Sequence, residues 1–451
     1  MYSKVTRFAE LRRWDVKQLR TLSWPQEPSL LEPLSRLAVR RSETALSTAP
    51  LGSISFDGSV TVRAGERLIQ GRTYLAKSGD LVFSKIDARN GAIGIVPPSI
   101  DLLAFSTEYP IFDLTSAEAL LPQYAALLLR TPIFLSQLEG LAAGHSGRKR
   151  VTPEDFLGLR VPVPDQEVQR SIVDEYEEKR ASAIQRIATV ENVVPQTMVE
   201  IQDVLGISMD LRRAVDTRFT AQLSQLSTWS VRRTRSDLSG LSDELRCAFP
   251  VRRLGDRTVA MILRGVSKSP RNRPNQNARP YLRVANLRAG FIDLSDIRTI
   301  DVPEDSFESM RLHLHDVLVC RNNSLELVGK AALWRGQVEE CTHDDHIFRV
   351  RVAGGDVSPG YLEAYINTPY AQAWLQSRAQ VTTNLAGIPG SALANLPTPI
   401  PDRAVQLKVE SLYQTALDTY AATVDQAYQA LQEARSLAAA NVSNATPRTL
   451  R

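Results

Sequence analysis

Apolar positions between residues 166 and 205 fall at helical spacing. Ile172, Tyr176, Ala183, Ile187, Val190, Val194, Ile201 and Leu205 are separated by threes, fours and their sums, while Asp174, Glu175, Glu178 and Lys179 occupy the opposite face. This is the seam of a coiled-coil-like helix. A helix over 166–205 is about 60 Å long, longer than a globular domain needs, so the seam requires a partner helix. Pro195 is expected to kink it. The pattern returns from Arg403 to Ala440, where Val409, Leu412, Ala416, Tyr420, Ala427, Leu431 and Ala434 line one face. The helix-packing candidates are therefore Ile172, Tyr176, Ile187, Val194 and Ile201 in the first helix and Leu412, Tyr420, Ala427 and Leu431 in the last.

The stretches before these helices have a shorter period. From Pro33 to Pro164, β-type runs at Ile54-Phe56, Val60-Val62, Leu81-Phe83 and Ile93-Val96 are separated by turns such as Asp57-Gly58 and Asn90-Gly91. Leu120 to Glu139 reads as a helical pair broken at Thr131-Pro132. Thr152-Pro153-Glu154-Asp155 reads as a helix start, with Thr152 as cap and Pro153 in the first turn. A second mixed region begins near Pro250 and carries strand-like runs at Tyr281-Val284, Val317-Cys320 and Ile347-Val352. Between the two halves, residues 206–248 read as a polar connector.

The mixed regions repeat one another. Leu159-Arg160-Val161-Pro162-Val163-Pro164-Asp165 returns as Leu396-Pro397-Thr398-Pro399-Ile400-Pro401-Asp402, each time opening a long helix. In that register Pro122 and Tyr124 match Pro359 and Tyr361, Thr131-Pro132 matches Thr368-Pro369, and Gln169 matches Gln406. With a one-residue slip, Asp80-Leu81-Val82 matches Asp316-Val317-Leu318, and Ile111-Phe112 matches Ile347-Phe348. Two copies indicate a tandem pseudo-dimer rather than a solenoid.

Composition narrows the setting. The chain has 451 residues, 43% hydrophobic and 23% charged, ordinary for a soluble protein of two or three domains. Its net charge of +4 does not by itself indicate a polyanion partner, so local charge has to carry that argument. Cys247, Cys320 and Cys341 are too few for a disulfide framework and lack zinc-site spacing, which fits a reducing compartment. The N-terminus has no apolar signal-peptide core, and Leu120 to Leu129 is too short to span a bilayer. The expected location is the cytoplasm.

Catalytic signatures are mostly missing. There is no Asn/Asp-Pro-Pro-aromatic tetrapeptide of an amino-methyltransferase, since Val96-Pro97-Pro98-Ser99 does not qualify. There is no glycine-rich dinucleotide fingerprint, and Gly329-Lys330 lacks the preceding glycine of a phosphate loop. Pro164-Asp165 followed by Glu177-Glu178-Lys179 has a nuclease-like spelling, but Glu177 and Lys179 lie on a heptad helix and the second copy has Gln414-Thr415-Ala416 instead. His343-Asp344-Asp345-His346 reads as a turn with solvated or hydrogen-bonded side chains rather than a metal site. No metal or cofactor is expected on this chain.

Polar chemistry instead gathers where DNA could meet it. Both halves place Arg, Lys or Asn after the same strand: Lys85, Arg89 and Asn90 in the first, Arg321, Asn322 and Asn323 in the second, both read as hairpin turns. A basic loop follows in the first half, with His145, Ser146, Arg148, Lys149 and Arg150. Arg264 to Arg283 contains Lys268, Arg271, Asn272, Arg273, Asn275 and Gln276, and no acidic residue occurs between Arg257 and Ile292. Thr383 and Asn384 lie in another polar loop. Arg and Lys suit guanine and phosphate, and Asn and Gln suit adenine. Any one of these residues alone reads equally well as a solvated surface residue.

At this point the chain resembles the specificity (S) subunit of type I restriction–modification systems. The resemblance rests on Tyr281-Leu282-Arg283-Val284-Ala285-Asn286-Leu287 with Gly290-Phe291-Ile292, on Leu314-His315-Asp316-Val317-Leu318-Val319, on Gly329-Lys330-Ala331-Ala332-Leu333-Trp334 and on His346-Ile347-Phe348-Arg349-Val350. In the first half it rests on Ser78-Gly79-Asp80-Leu81-Val82-Phe83-Ser84, Gly91-Ala92-Ile93-Gly94 and Val161-Pro162-Val163-Pro164. The first half lacks a clear copy of the Tyr281-to-Leu287 string, for which Ser53-Ile54-Ser55-Phe56-Asp57-Gly58 is the candidate replacement.

The resemblance implies an α/β (α+β) fold with two target-recognition domains in tandem pseudo-two-fold repeat. Each is followed by a spacer helix, and the two helices form an antiparallel coiled coil. The corresponding boundaries are 1–164 for the first recognition domain, 165–206 for the first spacer, 207–248 for the connector, 249–401 for the second recognition domain, 402–441 for the second spacer and 442–451 for the tail. It further implies a non-catalytic subunit that reads a bipartite double-stranded DNA target and docks two methyltransferase (M) subunits, which use S-adenosylmethionine. Two motor-nuclease (R) subunits, with ATP and Mg, complete the cleaving complex. The rival readings are an S-like targeting or scaffold subunit of another phage-defence assembly, and a standalone metal-dependent nuclease using Asp165, Glu177 and Lys179.

Overall fold

The computed structural model describes residues 22–45, 49–63, 71–114, 119–141, 150–207, 241, 245–267, 274, 278–382 and 385–447. The predicted connector therefore lies largely outside the described residues. The chain divides into two units, Met1–Arg186 with Asp425–Arg451, and Ile187–Val424.

In the first unit a four-stranded antiparallel sheet has the order Val39–Arg41, Ile111–Asp113, Leu81–Phe83, Ile93–Ile95. Side chains alternate across a strand, so Leu81 and Phe83 enter one core while Val82 enters another. The larger core takes Tyr124, Leu128, Phe134 and Leu138 from the helical pair Pro122–Leu128 and Pro132–Leu141. Phe156, from the short helix Pro153–Leu157, stacks on Phe83 at 4.5 Å. That helix begins as the sequence indicates, with the Thr152 hydroxyl accepting from the Asp155 amide at 3.1 Å. The smaller core lies among the pair Thr73–Lys77 with Leu102–Ser106 and the hairpin Gly52–Ile54 with Val60–Val62.

The second unit repeats this frame. Its four-stranded sheet runs Ala260–Arg264, Ile347–Val352, Val317–Cys320, Ala331–Leu333. Val317 and Val319 face one core and Leu318 and Cys320 another. The helical pair is Pro359–Ile366 and Pro369–Ser377, each capped by a hydroxyl, Ser358 and Thr368. Two additional three-stranded sheets are present here. One joins Arg298–Asp301, Ala278–Leu282 and Thr342–His343, and the other joins Asn322–Asn323, Ala386–Gly387 and Gln380–Val381.

Two expectations need correction. Asn322 and Asn323 are strand residues rather than a turn, because Gly387 and Ala386 return to pair with them. The Tyr281-to-Val284 run starts earlier, as Ala278–Leu282, and Val284–Asn286 is a 3-10 turn because the Asn286 side chain accepts from the Arg283 amide at 2.9 Å.

The long helices are Gln166–Val190, Val193–Val204 and Arg403–Asn444. The first interruption falls at Glu191-Asn192, not as a kink at Pro195. Proline cannot donate to the carbonyl four residues back and its ring excludes that carbonyl, so the break precedes it. In the first unit Ile172, near the start of one helix, shares a core with Val442 and Ala445 at the end of another. In the second, Met198, Ile201 and Leu205 share a core with Val409, Tyr413 and Leu417. The start of one helix meeting the end of the other makes the pairing antiparallel. Ile172, Ile201 and Ala427 are buried, and Tyr176, Ile187, Val194, Leu412, Tyr420 and Leu431 are half-buried.

Candidate nucleic-acid interface

The residues after the central strand are rooted alike in both units. The Lys85 carbonyl accepts from the Val151 amide at 2.8 Å, and the Arg321 carbonyl accepts from the Ile388 amide at 2.9 Å. Each bond ties the polar excursion after the central strand to the return of the polar loop that follows the helical pair. In the first unit this brings Lys85 beside Arg150, whose guanidinium lies 3.4 Å from Glu108, the residue whose carbonyl accepts from the Lys85 amide at 3.0 Å. Arg89 and Asn90 lie on a 3-10 turn, Ala88–Asn90, which ends on Gly91 at φ +98. Asn90 is exposed and donates to Asp87 at 3.2 Å. Arg89 is half-buried, and its Nε has no hydrogen-bond partner among the described residues. His145, Ser146, Arg148 and Lys149 lie outside the described residues.

In the second unit three roots converge. Asp345 donates from its amide to Val266 at 3.1 Å, where the basic stretch departs. The same Asp345 carbonyl accepts from Arg321 at 2.8 Å. Asn322 and Asn323 then pair with the strand leaving the Thr382–Leu385 loop, which is closed by the Thr382 amide on Leu385 at 2.8 Å. Lys268, Arg271, Asn272, Arg273, Asn275, Gln276, Thr383 and Asn384 themselves lie outside the described residues. Arg321 is engaged rather than free, lying over the Phe348 ring at 5.7 Å. The Asn322 Oδ1 atom is buried without a partner among the described residues.

The turn between these roots is electrostatically unusual. His343 is fully buried in a strand and its imidazole is pushed down to about 4, by burial first and then by the Arg349 charge. Burial raises the Asp344 carboxyl to about 6, against the opposing pull of His346. Asp344 accepts from the His346 amide at 3.1 Å, so the expected turn is confined to Asp345-His346, while His343 belongs to the strand Thr342–His343 and is drawn inside the protein by its pairing with Leu282. Among the described residues no group of three His, Cys, Asp or Glu side chains could hold a metal ion. In the nuclease-like spelling, Glu177 pairs with Arg180 at 2.8 Å and Lys179 with Glu175 at 3.9 Å. Asp165 precedes Glu177 by three helical turns, about 18 Å along the axis, so those groups cannot converge on one ion.

Sequence reasoning overestimated the free positive charge of the basic stretch. Arg279 pairs with Glu304 at 2.9 Å and also with Glu340, and Arg283 pairs with Asp296 at 2.6 Å. These acids come from beyond Ile292, so no local signal announces them. Two further polar residues were also missed, Arg130 and Asn367, each standing just before the repeated Thr-Pro step.

No family model matches the chain. Among curated proteins it is 24% identical over 302 residues to the type I restriction enzyme EcoKI specificity subunit of Escherichia coli (strain K12), a match covering 65% of this chain and 59% of that subunit. It is 20% identical over 480 residues to the Escherichia coli EcoEI specificity subunit, covering 89% and 77%. The chain is a homologue of type I restriction enzyme specificity subunits. The match spans less than two thirds of the EcoKI subunit's length. In fold, the chain is similar to one in a solved type I restriction–modification system, with TM-score 0.50 and 16% identity over 93% of this chain and 98% of that one. That likeness is one of fold: mixed α/β units with long helices. Among the described residues no helix is long and apolar enough to cross a membrane.

Proposed function

We propose that this chain is the sequence-specific DNA-binding subunit of a type I restriction–modification complex. It has no catalytic role of its own, reads a bipartite double-stranded target and docks two methyltransferase subunits, with two motor-nuclease subunits in the cleaving form. The observation that carries the reading is the duplicated root, in which Lys85 in one unit and Arg321 in the other start equivalent polar excursions tied to an equivalent loop return. Two copies of one recognition frame suit two half-sites, with loops reaching base edges and the surrounding Arg and Lys meeting phosphates. Residues 1–164 and 249–401 act as recognition domains, 165–206 and 402–441 as spacers, with 207–248 joining them and 442–451 as tail.

The candidate contacts are Lys85, Arg89, Asn90 and the 145–150 loop in the first domain. In the second they are the 268–276 stretch, Asn322, Asn323 and the Thr383-Asn384 tip, with Arg321 reaching DNA only by leaving Asp345. S-adenosylmethionine, ATP and Mg act on partner subunits, and the assembly works in the cytoplasm. Single-molecule methylome sequencing tests this in a host expressing the chain with its adjacent methyltransferase, against the host without the chain. N6-methyladenine at one bipartite motif with a fixed gap supports the reading. Copurification without methylation favours a scaffold in another defence assembly, and failure to copurify overturns the docking role.

A further inference from the structure

Arg130 and Asn367 occupy equivalent places, at the end of the first helix of each pair and just before Thr131-Pro132 or Thr368-Pro369. Arg130 donates from Nη2 to the Phe56 carbonyl at 2.6 Å and from Nη1 to the Gly91 carbonyl. Phe56 lies at the tip of the Gly52–Val62 hairpin, and Gly91 ends the turn carrying Arg89 and Asn90. These two segments belong to separate sheets, so one guanidinium joins what no strand pairing joins. The fit excludes side chains: a Cβ on Gly91, at φ +98, would lie 2.3 Å from the Phe56 carbonyl oxygen. Asp57, Arg435 and Tyr176 all lie near enough to act on the Arg130 charge.

Asn367 closes the second unit with an amide. Its Oδ1 accepts from the Ala331 amide at 3.0 Å, and its Nδ2 donates to the Ala331 carbonyl at 2.8 Å and to the Tyr413 hydroxyl at 2.9 Å. The Ala331 carbonyl also accepts from the Gly290 amide at 2.8 Å, so the Leu287–Ile292 hairpin hangs from the same strand. Phe291 then packs on Tyr420 at 6.0 Å. Tyr176 and Tyr413 are themselves equivalent, each seven residues beyond Gln169 or Gln406.

We propose that Arg130 and Asn367 are positioning residues for recognition. Each locks its unit's glycine-tipped hairpin, and the strand returning from the polar excursion, against the Tyr176 or Tyr413 face of a long helix. The reading loops are thereby carried at a fixed angle on that helix. This rests on the DNA-reading role proposed above. The two locks differ in kind. Arg130 works through a charge that Asp57 attracts and Arg435 repels, whereas Asn367 works through buried neutral bonds.

The full-length chain carrying Arg130→Gln, Arg130→Lys, Asn367→Ala or Tyr413→Phe is the test, read by amide hydrogen exchange on the purified protein and by the methylated motif in a host with the adjacent methyltransferase. Arg130→Gln is expected to speed exchange about tenfold, the worth of one or two net hydrogen bonds, in the 52–62 and 88–93 segments only. It should make one half of the motif degenerate while the other half and the gap persist. Arg130→Lys should restore part of both. Asn367→Ala, and more mildly Tyr413→Phe, should do the converse at the 287–292 hairpin and the other half-site. Unchanged exchange in these segments, or both halves weakening together in step with melting temperature, overturns the proposal. If the unmutated protein writes no motif, the DNA-reading role fails, and the exchange data decide the lock alone.

Discussion

Gln406→Ala should unseat the second unit's frame. The side chain is 1% exposed and bonds only to backbone: Oε1 accepts from Ser358 N at 2.7 Å, and Nε2 donates to the carbonyls of Asp356 at 2.7 Å and Pro401 at 2.9 Å. It thus pins the first turn of the Arg403–Asn444 helix to the loop that starts the helical pair. Truncation strands three backbone groups, each worth about 1–3 kcal/mol when left unpaired. The vacated volume admits water, which re-satisfies one or two of them, so one or two stay unpaired and the expected loss is about 1–6 kcal/mol. Gln169→Ala should cost the first unit a similar amount. There Oε1 accepts from Leu121 N at 2.9 Å and Nε2 donates to Ala119 O and Pro164 O at 2.8 Å. Because two units need not unfold together, the assay is urea titration followed by hydrogen exchange in each unit, with exposed Gln426→Ala as control. A loss below about 1 kcal/mol, or equal softening of both units by either substitution, refutes the clamp.

Glu363 is buried with its carboxyl pushed up to about 7, mainly by burial and against the pull of Arg335. The folded state therefore holds its proton more tightly than the unfolded chain, so this group's contribution is full at acid pH and is lost as pH rises through about 7. Glu363→Gln should be near neutral at about pH 5 and stabilising by about 1–3 kcal/mol at about pH 8.5; an equal effect in thermal melts at both pH values refutes it. His343 has the opposite sign: its folded value, about 4, lies below the ordinary 6.5, so its contribution is present above 6.5 and is lost as pH falls toward 4. His343→Gln should flatten that acid limb of the stability curve, and an unchanged limb would assign acid sensitivity elsewhere. Gly290→Ala should destabilise the second unit by about 2–4 kcal/mol, because φ is +75 and the new Cβ would sit 2.6 Å from Leu417 and 2.8 Å from the Tyr413 hydroxyl; a melt within error of the parent removes the close-packed hairpin from the account.

The repeat was legible because its frame depends on residue types that few others replace. Gln169 and Gln406 satisfy a donor and two acceptors from one side chain. Thr131 and Thr368 each donate to a carbonyl three residues back, at 2.8 and 2.7 Å, and then cap the next helix. Such requirements leave identical letters at fixed spacing. Features set by distant chain were not legible. Asn322-Asn323 becomes a strand only because residues 386–387 reach it, and Arg279 and Arg283 are neutralised by acids from Asp296, Glu304 and Glu340. The break before Pro195 was visible in kind but misplaced, since the lost hydrogen bond lies one turn ahead of the proline.

The buried aspartate shows how frame and charge separate. Asp80 and Asp316 both accept from the amide three residues before them, Lys77 at 2.8 Å and His313 at 2.7 Å. That local bond fixes the aspartate in both copies. A buried carboxylate also needs a cation, but the cation need only arrive from a neighbouring strand. In the first unit Arg41 supplies it at 2.6 Å and also reaches Asp113 at 3.1 Å. In the second it is Arg351 at 2.7 Å, from the strand corresponding to that of Asp113, with Arg349 at 4.0 Å. The carboxylate is held by its own turn and is retained, while the cation is held only by proximity and has moved. The same logic applies to the loops beyond Lys85 and Arg321. Their roots are fixed by backbone bonds that any sequence can make, so their side chains are free to differ between the two units.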